Sequence, residues 1–222
     1  MDPELTKELI HFFEDYVTPH KQELIGNILA NRTRHITVVL EDIFKSHNAS
    51  AVVRTCECMG IQDLHVIENV NDYTTNPYVT RGASKWMTMY RYPDPAHSIT
   101  QLKEKGYKIV VTSPHEKATS YKDYDITDPC ALIFGTEFSG VSDTFWEIAD
   151  DFIYIPMVGF TESLNISVSA AVILQDFTSR LRTTQVDWGL KPQEMDDLRL
   201  QWYKNVVKRS ELLEERYLSE KS

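Results

Sequence analysis

The stretch Phe152-Ile-Tyr-Ile-Pro-Met-Val-Gly-Phe-Thr-Glu-Ser-Leu-Asn-Ile-Ser-Val-Ser-Ala-Ala-Val-Ile-Leu174 decides how the rest of the chain reads. Phe152–Ile155 is a short apolar run that predicts a buried strand. Pro156 ends it, because proline has no N–H to give to a ladder. Gly159 predicts a turn of unusual backbone geometry. After Ser163-Leu164-Asn165 the period becomes helical, with Ile166, Ala170, Ile173 and Phe177 on one face. Ser163 or Asn165 is placed to cap that helix, and Ser167, Ser169, Ala170 and Ala171 keep its first turns thin. Backbone or a ligand is therefore expected to pack close to the helix start. An ordinary strand–turn–helix with a small-residue packing seam satisfies the same pattern.

Working outward, six segments read as strands: Ile36–Leu40, Leu64–Ile67, Met87–Tyr90, Tyr107–Thr112, Ala131–Phe134 and Phe152–Ile155. Helical patterns over 48–59, 95–105 and 143–149 separate several of them. Such alternation predicts an α/β fold with a mostly parallel sheet covered on both faces. Residues 4–30 read as two short helices broken at Thr18-Pro19, with Leu9, Phe12, Phe13 and Tyr16 as an apolar face on the first. After about Arg182 a polar segment broken by Gly189 and Pro192 leads to a long helix over 193–218. In that helix Leu198, Trp202, Val206 and Leu213 fall at broadly helical spacing. The expected divisions are an N-terminal helical extension (1–30), a core domain (31–182) and a C-terminal helical extension (183–222).

At 222 residues the chain is long enough for a substantial core. It holds no run of eighteen apolar residues, so a membrane span is not expected, and its first residues lack the pattern of a signal peptide. Three cysteines, Cys56, Cys58 and Cys130, suit neither a disulfide framework nor a metal site, and a reducing cytoplasm is the natural setting. The net charge of −10 opposes a nucleic-acid partner if taken globally. Its distribution is uneven. Residues 36–179 carry 10 Lys/Arg against 19 Asp/Glu, whereas 180–222 carry 9 against 8. The tail is thus permitted to face RNA, and an ordinary solvated helix fits it as well.

Two further stretches offer chemistry. In His47-Asn48-Ala-Ser-Ala51-Val-Val-Arg54, Asn48 stands where a loop gives way to a helix and reads as its N-cap, with Gly60 as the stop. Arg54 lies six residues on. A capped helix carrying one ion-paired arginine explains this equally. In Phe134-Gly135-Thr-Glu137-Phe-Ser-Gly140-Val-Ser142, the two glycines imitate a phosphate loop, but Val141-Ser142 stands where Lys-Ser/Thr is required, so that reading fails. No G-x-G-x-x-G occurs anywhere, which removes the dinucleotide fingerprint. Taken alone, Glu137 is a surface carboxylate.

Taken together and in order, Asn48-x-x-Ala51-x-x-Arg54, Phe134-Gly-x-Glu-x-x-Gly-Val-Ser142 and Ile155-Pro-Met-x-Gly-x-x-x-Ser-Leu-Asn-x-Ser-Val-x-Ala-Ala171 resemble the three motifs of the SpoU/TrmH branch of the SPOUT RNA ribose methyltransferases. The resemblance spans roughly residues 31–182. It implies a C-terminal trefoil knot and S-adenosylmethionine held by Thr112, Gly135, Ile155 and Leu164, largely through backbone. It also implies a catalytic set of Arg54, Asn48, Glu137, Ser163 and Asn165, with no metal, in a homodimer that builds its site across two subunits. Gly82-Ala-Ser-Lys85-Trp86 resembles another segment of these enzymes, with Lys85 as an RNA contact. Ser179-Arg180-Leu-Arg182 resembles the Arg-x-Arg of the members that methylate guanosine-18 in the tRNA D-loop.

The expected function is therefore 2'-O-methylation of that guanosine, with Arg180, Arg182, Lys204, Lys208 and Arg209 as further RNA contacts. A ribosomal RNA or other tRNA ribose is the alternative substrate. A non-catalytic RNA-binding factor has no use for the five-residue set, and the terminal helices disfavour a small-molecule methyltransferase.

Overall fold

The computed structural model describes residues 2–43, 45–69, 76–113, 117–136 and 140–221. The chain opens with α1 (Pro3–Glu14) and α2 (Pro19–Leu29), parted as expected by Thr18, whose hydroxyl accepts the Lys21 N–H. There follow β1 (Ile36–Glu41), α3 (Ser46–Met59), β2 (Asp63–Ile67), α4 (Pro77–Thr80), a 3-10 turn at Ala83–Trp86, and β3 (Thr88–Tyr92). Next come α5 (Pro95–Glu104), β4 (Lys108–Thr112), the two-residue β5 (Thr119–Ser120), β6 (Cys130–Phe134) and α6 (Asp143–Ile148). β7 (Asp151–Tyr154), α7 (Ile166–Leu181), α8 (Pro192–Val206) and α9 (Ser210–Lys221) complete the order.

Residues 33–188 form one compact unit, and residues 1–32 with 189–222 form another. The terminal segments, expected as separate extensions, thus belong together. In the larger unit all seven strands pair in parallel, in the order β3-β2-β1-β6-β4-β7-β5. The chain re-enters the sheet twice: β6 inserts between β1 and β4, and β7 between β4 and β5.

Alternation along the strands splits the core. Val38, Leu40, Leu132 and Phe134 pack on one face with Val52, Val53 and Cys56 of α3 and Ile173, Leu174 and Phe177 of α7. Val39, Ala131, Ile133, Ile109 and Val111 pack on the other with Leu102 of α5 and Phe145 of α6. This is the period-2 separation that puts successive side chains on opposite faces of a strand. Ile166, Ala170, Ile173 and Phe177 are all buried, as the helical spacing predicts.

In the terminal unit α1 and α2 pack on α8. Leu9, Phe13, Leu198 and Trp202 are buried, and the Arg32 guanidinium lies 5.3 Å from the Trp202 ring. The long helix expected over 193–218 is interrupted: α8 stops at Val206, and Arg209 takes a left-handed φ of 57° before α9 begins. Leu213 is consequently not part of a buried stripe, since α9 buries no residue.

Two local expectations are corrected. Asn48 does not cap α3. The helix starts two residues earlier, with the Lys45 carbonyl accepting from the Asn48 and Ala49 N–H groups, which leaves Asn48 buried in the first turn. Gly159 lies in a bend after β7 but has no left-handed φ, so the unusual backbone geometry expected there is not used. Gly60, with φ 83°, does end α3.

Candidate active site

β6, β4 and β7 are neighbours in the sheet, and the segments leaving their C-terminal ends surround a cavity of about 500 Å³. Open parallel sheets place ligands at this edge, because the loops that follow the strands diverge there. Two anchors fix the strand ends. The Thr112 hydroxyl donates to the Ile133 carbonyl at 2.8 Å, and the Ser113 N–H donates to the Ile153 carbonyl at 3.0 Å.

The segment after β6 closes on itself. Thr136 and Gly140 exchange backbone hydrogen bonds of 2.8 and 3.1 Å. Gly135 lies so close beneath that a Cβ there would sit 2.1 Å from the Gly140 carbonyl oxygen. Only glycine is accommodated at that position. Gly140 itself uses a left-handed φ of 70°.

The fourth wall comes from the start of α7. The Asn165 side chain accepts the Ser167 N–H at 2.9 Å, making Asn165 the cap that sequence left open between it and Ser163. Its Nδ2 donates to Asn48 Oδ1 at 3.3 Å, tying the start of α7 to the first turn of α3.

The structure brings together Thr112, Gly135, Ile155, Ser163, Leu164 and Asn165 as lining of this cavity, while Asn48 joins through Asn165. Arg54 is exposed on α3 and is not a lining residue; Glu137 lies outside the described residues. Lining residues that sequence reading missed include Lys45, Ser113, Thr136 and Glu162. For Ser113 and Thr136, a position one or two residues after a strand end was the available signal.

The cations expected to meet RNA divide into two groups. Lys85, Lys208 and Arg209 are exposed. Arg180 is instead turned inward: it pairs with Asp176 at 2.7 Å and donates to the Tyr124 and Tyr121 carbonyls. Arg182 donates to the Thr178 and Met59 carbonyls, so it braces the end of α7 against the end of α3. Lys204 is ion-paired with Glu214. Among the described residues there is no cluster of potential metal ligands, and no helix is long and apolar enough to cross a membrane.

The cavity lining divides into apolar and polar groups. Phe134, Val141, Ile153, Ile155, Leu164 and Ile173 give apolar walls for a flat heterocycle, while Ser113, Thr136 and Asn165 offer polar groups around it. The volume lies within the range of small-molecule sites, roughly 300–1,000 Å³.

Residues 35–175 match the SpoU rRNA Methylase family. A tRNA (guanosine(18)-2'-O)-methyltransferase of Borreliella burgdorferi is 41% identical over 214 residues, covering 96% of this chain and 98% of its own. An enzyme of the same description from Thermus thermophilus is 37% identical, covering 71% of this chain and 81% of its own. Among solved structures, the A. aeolicus TrmH/SpoU tRNA modifying enzyme superimposes with a TM-score of 0.75 at 29% identity, covering 85% of this chain and 98% of that one. With its parallel sheet, its cavity at the ends of β6, β4 and β7 and a match over most of its length, the chain belongs to the SpoU methylase family.

Proposed function

We propose that this chain transfers the methyl group of S-adenosylmethionine to the ribose 2'-hydroxyl of guanosine-18 in the tRNA D-loop. The observation that carries the reading is the cavity itself. It is lined by the strand-end and α7 residues of the motifs, in a chain similar over nearly its whole length to an enzyme named for that reaction.

S-adenosylmethionine supplies an electrophilic methyl group on a sulfonium. The chain's part is alignment and disposal of a proton. Thr112, Gly135, Ile155 and Leu164 are the residues that would hold S-adenosylmethionine, through strand-end backbone and apolar side chains. Asn165 and Asn48, joined by their hydrogen bond, orient the ribose side, with Ser163 and Glu137 completing the set. A guanidinium is a poor base, so the work of Arg54 is to grip a phosphate beside the target ribose, and that phosphate or water receives the proton. Lys85 is a further RNA contact, and the protein acts in the cytoplasm, where its tRNA is found. The double re-entry of β6 and β7 into the sheet supports a trefoil threading of the segment around the cavity.

Mass spectrometry of modified nucleosides in tRNA from cells lacking the protein tests this directly, and the expected result is loss of 2'-O-methylguanosine. Intact tRNA methylation with a loss in ribosomal RNA would transfer the reading to that substrate; no loss in either would make the chain a binding factor. Arg54→Ala is expected to lower turnover by about 100-fold or more, through lost alignment, while S-adenosylhomocysteine binding survives. Equal loss of both would make Arg54 structural.

A further inference from the structure

Glu41 ends β1, and its side chain is buried, the residue being 2% exposed. Its Oε2 accepts the Ser142 N–H at 2.9 Å, whereas its Oε1 is buried without a hydrogen-bond partner among the described residues. Burial drives its carboxyl pKa upward, against the lowering effect of the Ser142 hydrogen bonding, with Asp42 adding to the rise. A buried carboxylate with one oxygen left unsatisfied costs stability, and an apolar side chain of similar size would fill the space at less cost. Packing alone therefore does not account for an acid here.

What the acid does is set by where Ser142 lies. Gly140 and Val141 line the cavity, and Ser142 follows them immediately, at the start of α6. The other end of the same loop leaves β6 at Gly135, which is wedged beneath the Gly140 carbonyl with no room for a Cβ. Gly135 and Gly140 are thus held by steric fit, and Ser142 by the buried hydrogen bond that its N–H donates to the Glu41 carboxyl on β1. The second hold adds to the paired Thr136–Gly140 bonds and ties the Val141 end of the wall to β1.

We propose that Glu41 is a positioning residue that fixes the Gly140–Val141 wall of the cofactor cavity through the Ser142 N–H. This rests on the reading of that cavity as the S-adenosylmethionine site. Two substitutions remove the bond from opposite sides. Glu41→Met fills the volume without an acceptor. Ser142→Pro deletes the N–H at a position whose φ of −67° already suits proline.

Each is expected to raise the calorimetric Kd for S-adenosylhomocysteine roughly tenfold, the worth of a buried hydrogen bond. The double variant should be no worse than either single one, because both cut one interaction. Glu41→Gln keeps an acceptor and should stay within about threefold of the parent protein. Amide exchange at Gly140 and Val141 should quicken in Glu41→Met and not in Glu41→Gln, while the tRNA KM holds.

Unchanged affinity and exchange in Glu41→Met, or additive effects in the double variant, would overturn the proposal. A fall in melting temperature with normal affinity would do the same, by making Glu41 merely structural. If the parent protein binds no S-adenosylhomocysteine, the cavity reading fails first. The exchange measurement then still decides whether Glu41 holds the wall.

Discussion

His65 shows how a single side chain can set a response to pH. It is fully buried on β2, stacked on Tyr90 at 4.7 Å and Tyr92 at 5.7 Å, with Nδ1 2.9 Å from the Tyr92 hydroxyl. Burial, and then the nearby Lys105, pull its pKa from 6.5 to about 3, so the imidazole is neutral in the folded protein. An unfolded chain binds a proton on this residue below pH 6.5, and the folded chain does not until near 3. Stability is thus fully present above the unfolded value and declines as pH falls from about 6.5 towards 3, at up to about 1.4 kcal/mol per pH unit from this group. Denaturant melts between about pH 4.5 and 7 should show that slope, and His65→Gln should flatten it. An equal slope in the variant would place the acid sensitivity on other groups.

Helix ends carry much of the local design. α7 begins at an asparagine cap that also touches α3, so one residue serves both helix and site. At the other end of the chain, the interruption between α8 and α9 leaves Lys208 and Arg209 exposed at a turn, whereas Lys204 is occupied by Glu214. The acidic balance of residues 36–179 means that tRNA capture needs cations supplied from elsewhere. Lys208 and Arg209 are suited to that, and changing both to glutamate avoids disturbing the Lys204 pair. Filter binding should show weaker tRNA affinity, with the salt slope lowered by about 0.7–0.9 for each phosphate that is no longer neutralised. Cofactor affinity should hold. If methylation at low tRNA concentration is unaltered, the terminal helices serve as a brace and RNA is held by other groups.

At the scale of the whole molecule, apolar surface remains around the site. Val158 and Phe160 are fully exposed in the segment after β7, and Leu164 and Val168 are 39% and 45% exposed at the start of α7. Exposed apolar side chains of this kind can serve an interaction face, and the homodimer that the family resemblance implies would cover them. Light scattering at micromolar protein should return twice the chain mass, and Val168→Glu should lower it. A chain-mass particle for the parent protein would contradict the dimer.

By itself the sequence determined what local chemistry controls. Proline at Pro19 and Pro156, glycine at Gly60 and the 3.6-residue spacing from Ile166 to Phe177 act through backbone sterics and periodic burial, so elements were legible within a few residues. The convergence of three motif loops was legible only through resemblance. Periodicity reports which face is apolar, and it does not report which strands become neighbours. Tertiary structure decided the insertion of β6 and β7 into the sheet, the joining of the two termini in one unit, and the fate of individual charges. Arg180 and Arg182 look like free cations in one dimension. Both donate to carbonyls that the fold delivers from up to 123 residues away. Glu41 is the converse: an acid at a strand end whose partner, Ser142, lies 101 residues on, and nothing short of the fold sets them 2.9 Å apart.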